Sequence, residues 1–228
     1  MARLLAEFGV VVLGVTIALW ADGRVAERRD RTIETARLRA LQDNLTESLS
    51  ALRSAREEAE GAIAALRLLV TRPRAEWDPG ELQDAVLYGA FYGPLFSPEI
   101  SVYEDLKNSG ELALLTDPEV RRTLSSMESR LDRAMASQAD LSIVQQLNLD
   151  TYLMDRTDLR PVMREWLGLE EALGHVAPDF GFVTEREFIN RALFKLDLIR
   201  HLDSQFAEAE HALVAAEEAI RGELATRS

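Results

Sequence analysis

Cysteine is absent from this 228-residue chain, which excludes a disulfide framework and thiol chemistry without choosing a compartment. Only three histidines occur, His175, His201 and His211. None sits in an H-E-x-x-H pattern, and the chain has no G-x-S-x-G, no phosphate-cradling glycine loop and no dinucleotide fingerprint. No enzyme activity and no cofactor are expected from it. Strand-like alternation of convincing length is missing, so an all-α fold is expected. Positive charge is scarce as well: 26 Lys and Arg stand against 39 Asp and Glu, for a net −13. A surface that acidic is a poor match for nucleic acid, whose phosphates require positive contact surfaces.

What the chain does have is a hydrophobic head. Leu4 to Ala21 reads LLAEFGVVVLGVTIALWA, with no charge from Phe8 onward. As a helix this run is roughly 27 Å long, close to the ~30 Å of a bilayer core. It predicts a transmembrane anchor over residues 1–22, with residues 23–228 as a helical domain hung from it. On one stripe of that helix lie Glu7, Gly14, Ala18 and Ala21. Small residues four apart allow close helix approach in lipid, and an acid on the same stripe suggests that it faces protein. These four are the expected membrane helix-packing residues. Arg3, Trp20, Arg24, Arg28 and Arg29 flank the run as expected interface residues, the indole and guanidinium groups suiting the headgroup region. Residues 1–39 hold seven arginines and five acids, a net +2, which leaves −15 for the remainder. That positive segment would lie on anionic lipid. Arginines after the run outnumber those before it, a lean toward a cytoplasmic domain.

Beyond the head, no proline interrupts the chain before Pro73. Leu38, Leu45, Leu52, Ala59 and Leu66 recur at sevens, with Leu41, Ser48, Ala55, Ala62 and Leu69 as the companion row. This seam predicts one continuous helix to about Val70, whose partner is either a second copy or another helix of the chain. Asp78-Pro79 and Asp117-Pro118 read as N-cap followed by first-turn proline. They open a short helix to about Tyr92 and a long one to about Asp155, with Ser97-Pro98 starting another between them. The long helix should bury Val120, Leu124, Met127, Leu131, Met135, Leu141, Val144, Leu147 and Tyr152. Thr116 with Glu119, and Thr184 with Glu187, have capping-box spacing. A shorter helix is expected over 161–173, followed by the irregular 174–183. Ala192, Ile199, Phe206, Leu213 and Ile220 give the last helix its own heptad row. The expected architecture is an antiparallel, up-and-down helical bundle whose first helix continues from the membrane.

Glu7, Gly14, Ala18 and Trp20, then Glu27-Arg28-Arg29, and further on Tyr103-x-x-Leu106-x-x-x-Gly110-x-Leu112 together resemble a family of uncharacterised bacterial membrane proteins defined by a domain of unknown function. The resemblance covers roughly residues 1–45 and 95–125. It implies a single span in the bacterial inner membrane followed by a helical domain with a Y-x-x-L-x-x-x-G-x-L element, and it brings no activity with it. Read physically, Tyr103, Leu106, Gly110 and Leu112 form a packing corner, the glycine suited to the left-handed end of a helix.

Asp197, His201, Glu208 and His211 lie along one helical face. Carboxylate and imidazole at such spacing could hold a divalent metal, especially with a second chain contributing, and a solvated polar face opposite the seam explains the same residues. His175 near Asp179 has no nucleophile in sequence reach. The function expected from these features is a non-catalytic accessory or structural subunit. It would pack on other transmembrane helices of a respiratory, photosynthetic or transport complex, or on copies of itself. The alternative is a membrane-anchored sensor that binds a small ligand at the aromatic-rich stretch Tyr88–Phe96.

Overall fold

The computed structural model describes the backbone of residues 2–160, 167–169 and 179–227, and the side chains of these from residue 31 onward together with those of Trp20, Arg24 and Arg29. The described residues form helices joined by turns and extended segments, with no strand among them. Helix α1 (Ala2–Thr71) is followed by α2 (Pro79–Ala85), which runs directly into a π-helical turn, π1 (Val86–Phe91). After the extended stretch 92–100 come α3 (Ser101–Ser109) and α4 (Pro118–Val144). Helix α4 continues through a second π turn, π2 (Gln145–Asp150), into α5 (Thr151–Arg156), and the long α6 (Arg186–Thr226) closes the described chain.

Helix α6 is the spine. It packs along α1 on one side and α4 on the other. Both neighbours run antiparallel to it: Arg56 pairs with Asp203 and Glu210 whereas Glu34 pairs with Arg227, and Arg130 pairs with Glu208 whereas Asn148 pairs with Arg191. The heptad rows explain the packing. Both α1 rows from Leu38 to Leu69 are buried, as are Ala192, Ile199, Phe206, Leu213 and Ile220 on α6. The partner of the α1 seam is therefore a helix of the same chain. Alanines at 55, 59 and 62 let the two backbones approach closely.

No helix among the described residues is long and apolar enough to cross a membrane. This overturns the expected transmembrane anchor and, with it, the single-pass inner-membrane placement. The strictly uncharged stretch, Phe8–Ala21, is only ~21 Å of helix against a ~30 Å core, and it belongs to a 70-residue helix that continues past residue 22 without a break.

Local signals fare unevenly. Asp78 and Asp117 are N-caps, accepting from the backbone N–H groups two and three residues on, with proline at the first helical position. The capping boxes do not form. Thr116 gives both its backbone N–H and its hydroxyl to Glu34 (2.6 and 2.9 Å). The Thr184 hydroxyl donates to the Gly181 carbonyl, and Glu187 pairs with Arg191. Pro98 does not open a helix, since α3 begins at Ser101. Leu147, expected in the core, is 75% exposed, and Leu149 is buried in its place. The π2 turn is the cause: its wider turn shifts every later side chain around the axis. The helix expected over 161–173 falls largely outside the described residues. Phe180, Phe182 and Val183 are buried beside Phe188, so the described residues just ahead of α6 anchor that end of the bundle.

Candidate functional site

The middle of the bundle contains backbone with no helix of its own to satisfy it. Stretch 92–100, with the end of π1, threads among α1, α4 and α6. The Phe96 ring meets Phe206 edge-on at 5.8 Å. Buried peptide groups need partners, and side chains at core positions of all three long helices supply them. Ser48 of α1 donates to the Glu99 carbonyl and accepts from its N–H, both at 2.8 Å. On α4, the Gln138 carboxamide receives the Phe96 N–H (2.7 Å) and donates to the Phe96 carbonyl (3.1 Å). Gln145 donates to the Ala90 carbonyl at 2.7 Å and to Asp150. Lys195 of α6, 2% exposed, donates to the carbonyls of Ala90 (2.9 Å) and Tyr92 (2.7 Å). Burial pushes the Lys195 ammonium down to about 7, with Asp150 pulling the other way. Lysine is the most telling of these residues, because it occupies the row Phe188–Lys195–Leu202–Ala209–Ala216, whose other members are all buried apolar side chains.

The outer side of this clamped segment is one wall of a groove of about 1010 Å³. The opposite wall runs from Ser54 of α1 to Arg72 just past its end, roughly 27 Å at helical rise. Its floor is small: Gly61, Ala62 and Ala65 on α1 and Ala85 on α2. Its shoulders are apolar and open, with Leu68 45%, Tyr88 57% and Leu95 74% exposed. Gly89 in π1 faces α1 closely enough that a Cβ would lie 3.1 Å from the Leu66 nitrogen and 3.2 Å from the Ala65 Cβ, so any larger residue there would push the wall away from α1 by a few tenths of an ångström. Tyr88 and Tyr92 stack at 5.8 Å. At the far end the Arg72 guanidinium lies 4.7 Å over the Trp77 ring, pairs with Glu81 at 3.0 Å and donates to the Glu76 carbonyl. Glu57, Glu58 and Asp84, also on the rim, form no ion pair among the described residues. The groove is thus apolar below, acidic above, and closed at one end by an arginine that is already engaged.

The residues singled out from sequence lie elsewhere. The side chains of Arg3, Glu7, Gly14, Ala18, Ala21 and Arg28 fall outside the described residues, as does His175. Trp20, Arg24 and Arg29 are exposed, and the Arg24 guanidinium stacks 5.1 Å over Trp20. At the corner, Tyr103 and Leu106 are buried, Gly110 has φ 75° in the left-handed region, and Leu112 is half-buried. The Tyr103 hydroxyl donates to Glu128 at 2.9 Å, and burial together with that carboxylate pushes its ionisation upward. His201, His211 and Asp197 are exposed, while Glu208 is taken by Arg130. Among the described residues no group of three or more His, Asp or Glu could hold a metal. Of the aromatic-rich stretch Tyr88–Phe96, Tyr88, Tyr92, Gly93 and Leu95 line the groove, while Phe96 is buried in the core against Phe206. The signal that sequence reading passed over is polarity at heptad positions: Gln138 and Gln145 continue the row Leu124–Leu131, and Lys195 interrupts its own.

At the lower end of the bundle, Glu34 is buried and accepts from Arg227 at 2.7 Å as well as from Thr116. Burial pushes the Glu34 carboxyl up, but these hydrogen bonds outweigh it and hold the group below the ordinary carboxylate range. This cluster joins α1, the turn before α4 and the end of α6.

Comparison with family models, curated proteins and solved structures finds no match to this chain.

Proposed function

We propose that this chain is a non-catalytic interaction protein, a helical brace that attaches through the first part of α1 to copies of itself or to a larger assembly. One observation carries the reading. Helix α6 ends at Thr226, where Arg227 meets Glu34, yet α1 continues back to Ala2. That is roughly 48 Å of further helix. Its described side chains ahead of Glu34, namely Trp20, Arg24, Arg29, Arg31, Thr32 and Ile33, are all exposed. Isolated helices draw most of their stability from packing of an apolar face, and the sequence of this arm is rich in apolar residues that a partner would cover.

The test is removal of residues 2–30, with analytical ultracentrifugation and thermal unfolding of both forms. The truncated chain should keep its cooperative unfolding transition and sediment as a single copy, whereas the full chain sediments as an assembly. The same number of copies per particle in the two forms at equal concentration, with no partner protein retained by the full chain alone, would overturn the proposal. A small-ligand sensor is the second reading, favoured by the groove along Tyr88–Leu95. It requires a metabolite to raise the unfolding temperature of the truncated and full chains alike.

A further inference from the structure

We infer that the groove between α1 and the α2–π1 wall is a docking site for a basic amphipathic helix of another protein. This surface is separate from the α1 arm, and the inference does not depend on the arm's role.

Gly61 is the strongest pointer. It lies in the interior of α1, where glycine weakens a helix relative to alanine, and it is exposed. Its φ is not positive, and a Cβ built on it meets no atom within 4 Å. Neither backbone conformation nor the chain's own packing therefore calls for glycine here, in contrast to Gly89, which α1 crowds. Local choices that cost stability without serving the fold are expected at functional surfaces, and unlike Gly222, equally open on α6, Gly61 lines a groove. Gly61 is on the groove floor, beside Ala62 and Ala65, where the missing side chain deepens the trough.

Shape and charge define the occupant. The trough is long, straight and open, about five turns of helix from end to end. Its exposed Leu68, Tyr88 and Leu95 would meet the apolar stripe of a helix, as in other helix-in-groove complexes. A small floor permits close approach of the two backbones. Glu57, Glu58 and Asp84 along the rim form no ion pair among the described residues, while Arg72, the cation among the lining residues, is engaged by Glu81 and Trp77. Lysine and arginine flanking the stripe of the incoming helix would reach those carboxylates, setting its orientation and speeding encounter.

The experiment titrates the full chain into a labelled synthetic helix of leucine and lysine, about 18 residues long to match the trough, and follows fluorescence anisotropy. A leucine–glutamate helix with the same apolar stripe and a short-chain alkyltrimethylammonium serve as comparison probes. Gly61→Trp fills the trough and leaves every charge in place; Tyr88→Ala is the second variant, should the first unfold. The expected result is saturable binding of the basic helix, weakened at least tenfold by either variant, with no binding of the acidic helix. Undiminished binding by a folded Gly61→Trp protein would reduce the effect to general charge attraction and overturn the inference. Equal binding of the acidic helix would overturn it in favour of unselective apolar contact, and competition by the alkylammonium in favour of a small-cation site. Self-association of the full chain abolished by Gly61→Trp would assign the groove to a second copy instead.

Discussion

Replacing Gln138 by methionine tests the central feature of the fold, the capture of non-helical backbone by core side chains. Methionine matches glutamine in length and suits a helix, so the change removes hydrogen bonding and little else. Gln138 is 7% exposed and serves two groups, the N–H and the carbonyl of Phe96, whose residue is itself 1% exposed. A buried peptide group left without a partner costs about 1–3 kcal/mol, giving about 2–6 kcal/mol for the pair. The gain from burying a thioether in place of an amide, about 1 kcal/mol, brings the net loss to about 1–5 kcal/mol. Against a total stability of about 5–15 kcal/mol, that shift is easily measured. Urea unfolding followed by far-UV circular dichroism is the assay, and with m near 2–3 kcal/mol/M the midpoint should fall by about 1 M. Gln146→Met, at an exposed position two turns further on, controls for the residue swap and should stay within about 0.5 kcal/mol of the parent. If Gln138→Met matched that control, the extended stretch would not be held through this amide, and the account of how the groove wall is positioned would fail.

Three other outcomes follow from the same structure. Lys195 has its ammonium pushed from 10.5 to about 7, so between those values the unfolded chain holds a proton that the folded chain lacks; stability should rise with pH through this window by up to ~1.4 kcal/mol per unit, and Lys195→Met should flatten the slope of urea midpoints measured from pH 7 to 9.5. Glu34 is lowered by its partners, so its contribution is complete above the ordinary carboxylate value of 4.5 and disappears as pH falls through its folded value. Glu34→Gln should accordingly cost about 2–3 kcal/mol at pH 7 in chemical denaturation, with a much smaller difference from the parent in acid. Gly61→Ala should raise stability by about 0.8–1 kcal/mol, because its Cβ meets only open space; a loss on thermal unfolding would mean that the helix there is not as described.

How much of this was legible in the sequence depends on range. The heptad rows of α1 and α6 were readable because every member faces one partner along a straight helix, and burial follows period directly. The Asp-Pro starts at 78 and 117 were readable because cap and helix are neighbours in sequence. Thr116 was misread because a residue far along the chain, Glu34, outbids the local capping geometry for its N–H and hydroxyl. Leu147 was misplaced because a π turn leaves no mark in a period-3.6 pattern until its packing is known. The head reads as a span because its hydropathy dominates a short window, whereas the helix that contains it runs on for some fifty residues in which charged side chains recur at nearly every turn. The groove is half visible in the sequence: the aromatic stretch stands out by composition, whereas the open space beside Gly61 depends on where α2 and π1 pack and leaves no local mark.

Ser48, Gln138, Gln145 and Lys195 each work at a single setting of the three long helices. Slide α6 by one heptad along α1 and α4, and apolar rows would still meet apolar rows. Lys195, however, would then face hydrocarbon with no carbonyl in reach, and an ammonium stranded in that way is far costlier than any loss of van der Waals fit. These four residues therefore act as a keyed lock on helix offset, disfavouring the sliding errors to which repetitive leucine-and-alanine seams are prone.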